Sequence, residues 1–302
     1  MMNTMLRREF LATAGGAVAL PVLGHAAEGS DEIGPATRAR LFVGCCAYSF
    51  RKYLAAGTMT MEDFIRKAVD LGVRGVDVTA YWLKSIEPGY LTELRHLAFK
   101  SSVGFSGAAI RTEMCQPDVT KRAEEVRKIR QWVDATELLG ASHLRVFGGN
   151  LADAATEQQG VEWVAETMKP ACEYAAKRGI TLGIEDHHGI TARATTLLEI
   201  LRRVDSPYAG INLDISNFEV KSDEEQYSEI EACVPYATHA HVRDLFSETH
   251  RPIDLDRVWR LFVKGGYKGY MSAEYEGEED SMTGVVKLIR KMKALCRKYS
   301  SA

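Results

Sequence analysis

The chain has 302 residues, 46% hydrophobic and 26% charged, which is enough apolar material for one large core or two modest ones. Its 38 Lys and Arg against 41 Asp and Glu leave a net charge of −3, with the basic residues spread and no basic tract. That excludes the electrostatic footprint of a nucleic-acid-binding protein, and no nucleic-acid partner is expected.

Residues 1–27 read apart from the rest. "MLRREFLATAGGAVALPVLGHAAE" sets the pair Arg7-Arg8 ahead of Phe10-Leu11, a Gly/Ala-rich apolar run and a small-residue end. A charged start, an apolar middle and a small-residue end describe a twin-arginine export signal on a bacterial protein, with the mature chain in the periplasm. The run from Leu11 to Leu23 is too short and too Gly/Ala-rich to span a bilayer comfortably, so no stable membrane span is expected after signal removal. Residues 28–40 form a Gly/Pro-containing linker. Six cysteines in an exported chain raise the question of disulfides. They lack metal-type spacing, and a protein folded before export keeps them as buried thiols.

From residue 41 onwards, strand-like and helix-like patterns alternate. Strands are expected at 41–50, 75–82, 104–110, 142–150, 181–188, 209–218, 238–245 and 269–277. Amphipathic helices are expected at 60–71, 89–101, 118–139, 157–178, 193–204, 223–232, 254–265 and 280–299. "TMEDFIRKAVDLG" shows the form: Thr60 three residues before Asp63 is a candidate N-cap, and Gly72 a candidate C-cap. Eight strand–helix units of about 30 residues predict parallel βαβ connections and a closed α/β barrel, (β/α)8, as a single domain over 41–302. An open doubly wound sheet would more often carry a Gly-rich fingerprint after its first strand, and "GCCAYSF" has none.

In such a barrel the chemistry sits at the C-terminal ends of the strands. The ends of strands 5 to 8 each offer one ligand-type side chain: Glu185, Asp214, His241 and Glu274. They are 29, 27 and 33 residues apart, one βα unit each, so neighbouring strands would present them to a common point. Three carboxylates and one imidazole cannot share a point without a compensating cation, and one divalent metal ion is the simplest solution. The carboxylate-rich set favours Mn2+, with Mg2+, Co2+, Fe2+ or Zn2+ as alternatives. Taken singly, each residue is more often a helix cap, an ion-pair partner or a core histidine; the four together carry the reading.

The motifs around these ligands resemble those of the xylose-isomerase-like TIM-barrel superfamily of sugar isomerases and epimerases, over about 41–300. "GIEDHHG" is similar to its E-N-H-x-G strand-5 motif and "INLDISNF" to its L-D-x-x-[HN] motif. "HAHVRD" is similar to H-x-H-x-K-D, and "GYMSAEYEG" to the strand-8 ending in Glu. The resemblance implies that Glu185, Asp214, His241 and Glu274 bind one divalent metal, with Glu185 and Glu274 doubling as the acid/base pair. It implies a substrate contact for His187, beside His188. Asn217 stands where epimerases often have His, and Arg243 where Lys is common; the latter change bears on an anion or hydroxyl contact and not on the metal.

Tyr48 after strand 1, Trp82 after strand 2 and Arg111 after strand 3 complete the substrate-facing set, since aromatic rings at a barrel mouth stack on sugar faces. His143 and Arg145 are placed in interior layers or against helices and given no role. A 2-hydroxy-carbonyl fragment on such a metal would form an enediolate, whose reprotonation gives isomerisation or epimerisation and whose loss of a β-hydroxyl gives a dehydratase or lyase. A small sugar, non-phosphorylated because the chain is exported, is therefore the expected partner. A non-catalytic exported sugar-binding module is the rival from another class. An endonuclease-IV-like nuclease would need more than the eight histidines present and a basic face. The long exposed helices leave room for a homo-oligomer without specifying its interface.

Overall fold

The computed structural model describes residues 39–300; the expected export signal and all but the last two residues of the linker lie outside them. Eight strands follow in chain order: β1 Arg40–Cys46, β2 Gly75–Thr79, β3 Gly104–Ala109, β4 His143–Phe147, β5 Thr181–Glu185, β6 Ala209–Asp214, β7 Ala237–Val242 and β8 Lys268–Ala273. Each pairs in parallel with the next, and β8 closes onto β1, giving the expected (β/α)8 barrel. A short helix α1, Arg51–Ala55, follows β1. The outer ring is α2 Met61–Leu71, α3 Pro88–Lys100, α4 Val119–Leu139, α5 Glu157–Ala176, α6 Ala194–Val204, α7 Asp223–Cys233, α8 Leu255–Lys264 and α9 Ser281–Tyr299.

Local chemistry sets the helix ends. The Thr60 hydroxyl accepts the Asp63 N–H at 3.2 Å while the Asp63 carboxylate accepts the Thr60 N–H at 3.1 Å, a reciprocal cap on α2. Gly72 ends that helix at φ 60°, a left-handed conformation that glycine adopts without a steric cost.

The strands stop earlier than the apolar patterns suggest. β6 ends at Asp214 because its carboxylate Oδ1 accepts the N–H of Ser216 at 2.9 Å, folding the chain into a tight side-chain turn. After β7 the chain bends back, with Leu245 bridging antiparallel to Pro252. Asn217, Arg243, Glu274 and Glu276 therefore lie in the loops just past their strands, at the mouth of the barrel.

Two kinds of interior result. Between sheet and helices the core is apolar, with Phe64, Ile129, Leu197, Trp259 and Phe262 fully buried. Inside the barrel it is polar: Asp77, His143, Arg145, Glu185, His239 and His241 are all buried. The His143 and His239 rings stack at 5.0 Å, and His239 meets His241 edge-on at 5.5 Å. His143 lies so close over β5 that only a residue without a side chain fits at Gly183. All six cysteines are free and buried. No helix among the described residues is long and apolar enough to cross a membrane.

Replacing Gly183 by Ala is expected to push its new methyl into the His143 imidazole and destabilise the fold by about 1–3 kcal/mol, the usual cost of overpacking a filled core. Chemical denaturation of both proteins checks this; an unchanged midpoint would show that the His143 ring shifts freely.

Candidate active site

The ends of β5 to β8 bring Glu185, Asp214, His241 and Glu274 together, each less than 5% exposed. His241 Nδ1 lies 3.4 Å from Glu185 Oε2 and 3.5 Å from Glu274 Oε2. Donor atoms bound to one small divalent ion at about 2.0–2.2 Å stand about 3.0–3.6 Å from one another, so these separations fit a shared ion. Ligand atoms of Glu185, Asp214 and His241 all fall within 4.8 Å of one another, whereas Glu274 joins them through His241 and groups with His241 and Cys46.

The imidazole is fixed from behind. His241 Nε2 lies 2.9 Å from Asp77 Oδ2, a carboxylate that only accepts when ionised, so Nε2 carries a proton. Burial would lower this imidazole, but Glu274 raises it well above its usual range, and an ion at Nδ1 would take the place of the proton held there. Burial works to raise the Asp77 carboxyl, yet its bond to His241 holds it down at about 2. Asn212 steadies the other flank, donating to Glu185 Oε2 at 2.8 Å.

Two arginines balance the carboxylates. Arg145 Nε lies 3.3 Å from Glu185 Oε2, with its guanidinium 3.9 Å over the Phe147 ring. Burial would raise Glu185, but Arg145 and His241 keep it below the ordinary carboxylate range. Arg243 is expected to touch substrate; its guanidinium also reaches two of the four ligands, with Nε 3.0 Å from Asp214 Oδ2 and Nη2 3.1 Å from Glu274 Oε2. Nη2 also stands 2.8 Å from Glu276. Burial opposes the charge on Glu274, and His241, Arg243 and Arg145 overcome it. At Asp214 burial prevails: despite Arg243, the proximity of Glu274 and Glu185 helps to push its carboxyl up to about 7.

The donor set passes the test for a divalent ion. Asp214 Oδ1 is taken by the Ser216 N–H and hydroxyl, whereas Oδ2 is buried with the Arg243 ion pair but no well-directed hydrogen bond. A buried carboxylate oxygen that accepts no hydrogen bond and faces one imidazole and two more carboxylates is what an oxygen-seeking cation would satisfy. A second grouping, Cys46 with His241 and Glu274, shares two of the residues, and the Cys46 thiol donates to Glu274 Oε1 at 3.5 Å. Burial, then Asp77 and Glu274, keep that thiol protonated well above the usual range, which makes it a poor ligand beside three carboxylates.

The other expected residues arrange around this centre. His187 packs on the Phe147 ring at 4.3 Å, and burial lowers it to about 4, leaving it neutral. His188 is exposed and faces Glu219 at 3.6 Å. Asn217 is buried; its Oδ1 accepts the Ser247 hydroxyl at 2.8 Å while its Nδ2 has no hydrogen-bond partner. Tyr48, Trp82 and Arg111 line a separate cleft over the ends of β1 to β3. Sequence patterns missed Asp77, Asn212 and the role of Arg145. The available signal was a lone charged or amide side chain in the middle of an apolar strand, as in "GVDVT", "GINLD" and "HLRVF".

The family described as xylose isomerase-like TIM barrel matches residues 65–295. The C-glycoside deglycosidase alpha subunit of Arthrobacter globiformis is 35% identical over 71 residues, 22% of this chain and only 20% of that protein's length. Among solved structures, a D-tagatose 3-epimerase-like protein superposes with a TM-score of 0.69 at 16% identity, covering 85% of this chain and 99% of that one. The probable 3-DHS dehydratase of petrobactin synthesis from Bacillus anthracis gives 0.64 at 16% identity, covering 85% and 97%. At these identities the two structures share the fold.

Two outcomes follow for metal affinity. Asp77→Asn removes the carboxylate that orients His241 and is expected to weaken divalent-ion binding about 10–100-fold, measured by isothermal titration; unchanged affinity would free His241 of that partner. Binding an ion also requires ionised Asp214, whose carboxyl is raised from 3.8 to about 7. Affinity of protein stripped of divalent ions should therefore climb as pH rises through about 7, and go on climbing as His241, raised well above its usual range, gives up its Nδ1 proton. The folded chain holds a proton on Asp214 that the unfolded chain releases, so this carboxyl's own contribution to stability without added metal is lost as pH rises between about 3.8 and about 7, against the opposite contribution of the neutral His187 and His239. Competition titrations, and the difference between wild-type and Asp214→Asn melts across that range, test the pair, and a pH-independent affinity or difference would contradict it.

Proposed function

The chain belongs to the xylose isomerase-like TIM barrel family, and on that premise we propose that it is a divalent-metal-dependent isomerase or epimerase of a non-phosphorylated sugar or keto-sugar. One observation carries the reading: Glu185, Asp214, His241 and Glu274 converge at the barrel mouth with two carboxylates held ionised beside His241 Nδ1. Those four residues would hold the ion, and the oxygen-rich set supports Mn2+ first. Bound there, a divalent ion would polarise a substrate carbonyl and stabilise the enediolate formed beside it.

The remaining work belongs to side chains. Glu185, kept charged by Arg145 and bonded to Asn212, is suited to take the α-proton. Glu274, which reaches the same His241 Nδ1 from the end of β8 instead of β5, is suited to return one. Return to the same carbon from the other face inverts it; return to the neighbouring carbon moves the carbonyl. Neutral His187 and the unpaired Asn217 Nδ2 offer hydrogen bonds to sugar hydroxyls. The Arg7-Arg8 segment supports export to the periplasm, where phosphorylated sugars are scarce.

A second reading is elimination from the same enediolate, favoured by Glu276. Burial raises this carboxyl even though Arg243 lies 2.8 Å away, which suits it to protonate a departing hydroxyl. The partial match to a C-glycoside deglycosidase subunit and the dehydratase fold support keeping this outcome beside the first.

The test is solvent exchange. Metal-loaded protein in D2O with a panel of free and 3-keto sugars should place deuterium next to the carbonyl, and product NMR distinguishes isomerisation, epimerisation and elimination. Glu185→Gln and Glu274→Gln should each slow exchange about 100–10,000-fold, the usual worth of a general acid or base, while the protein stays folded. Exchange at the wild-type rate in both variants would remove the proposed pair.

A further inference from the structure

A cleft of about 620 Å³ opens beside the carboxylate cluster, over the ends of β1, β2 and β3 and against α4. Besides Ala80 and Ile110, its side chains are of two kinds. Tyr48, Tyr81, Trp82 and Trp132 supply rings, with Tyr48 and Trp82 5.7 Å apart and Tyr81 edge-on to Trp82 at 5.8 Å. Arg111 and Lys128 supply positive charge. Lys128 is shared with Glu125 at 2.8 Å, but Arg111 makes no ion pair or hydrogen bond among the described residues.

The cleft adjoins the reacting centre. The Ile110 carbonyl in its wall accepts from Arg145 at 3.4 Å, and Arg145 is the residue that holds Glu185. On the other side Tyr48 lies under the Arg51 guanidinium, itself 3.4 Å from Glu276.

What the lining lacks also matters. A second sugar ring is normally gripped by carboxylate or amide side chains that accept from its hydroxyls, and none lines this cleft. Several aromatic faces and edges with an unpaired guanidinium instead suit a flat aromatic ring carrying an anionic oxygen.

Resting on the sugar-handling reading of the carboxylate site, we propose that this cleft holds an acidic aromatic aglycone, so that the substrate is an aryl glycoside. The aryl ring packs among Tyr48, Trp82 and Trp132, and its acidic oxygen pairs with Arg111. This narrows the chemistry. A glycoside cannot open at its anomeric carbon, so aldose–ketose exchange is closed to it. The carbonyl beside which the proton moves must be a ketone within the sugar ring, and the outcomes are epimerisation or elimination at that ring.

Binding of three probes to the metal-loaded protein tests the proposal without turnover: 4-carboxyphenyl, phenyl and methyl β-D-glucopyranoside, by isothermal titration and tryptophan fluorescence. Affinity should rise about tenfold from methyl to phenyl, and again from phenyl to carboxyphenyl. Trp132→Ala should erase the first step and Arg111→Gln the second. Trp132→Phe, which keeps a ring on α4, should retain the first step and guards against a folding defect. Equal affinity for methyl and phenyl glucosides, or both steps surviving in both variants, overturns the proposal. Metal content and D2O exchange on the same preparations separate the two readings. An aryl preference without metal or exchange removes the isomerase reading alone, whereas exchange without an aryl preference removes the cleft alone.

Discussion

The structure depends on how buried negative charge is compensated at one end of a barrel. Asp77, Glu185, Asp214 and Glu274 are each less than 5% exposed and cluster around one imidazole. Isolated, each would cost several kcal/mol to keep ionised away from water. Pairing lowers that cost unevenly. Asp77 leans on His241, Glu185 on Arg145, and Glu274 on His241 and Arg243. Asp214 is the one that burial still wins, which makes it the point where a further cation would gain most.

This arrangement shows why the barrel interior is polar where most are apolar. A ligating imidazole is useful only if its orientation is fixed, and Asp77 supplies that from across the barrel, on β2 against β7. The stacked rings of His143 and His239 fill the layer beneath, and Gly183 makes room for them. Packing and electrostatics are one problem here: the same side chains that fill the barrel set the charge of those above. Burial likewise leaves His239 neutral, lowered to about 4, so it adds no competing positive charge.

Much of this was legible in the sequence because it is local or periodic. Thr60, Asp63 and Gly72 delimit α2 through contacts three or four residues apart, and the eight βα units follow from two simple periods. The four ligand-type residues could be found because each closes one unit, so the barrel's own repeat aligns them. Asp77 could not. It is 164 residues from His241 in sequence, and the two meet only when the sheet closes, with a register shift at Val76/Asp77. Asn212 and Arg145 were hidden for the same reason: a polar residue inside an apolar strand does not announce which neighbour will need it. Strand ends were overestimated because side-chain turns such as that of Asp214 end the ladder before the apolar pattern does.

The most direct test of the account is the coordination shell of the ion itself. Protein loaded with Mn2+ should retain one ion per chain, and X-ray absorption at the metal edge should show a shell of oxygens with one imidazole nitrogen, lost on His241→Ala. Failure to retain an ion, or a sulfur in the shell from Cys46, would contradict the claim that Glu185, Asp214, His241 and Glu274 together form the metal site.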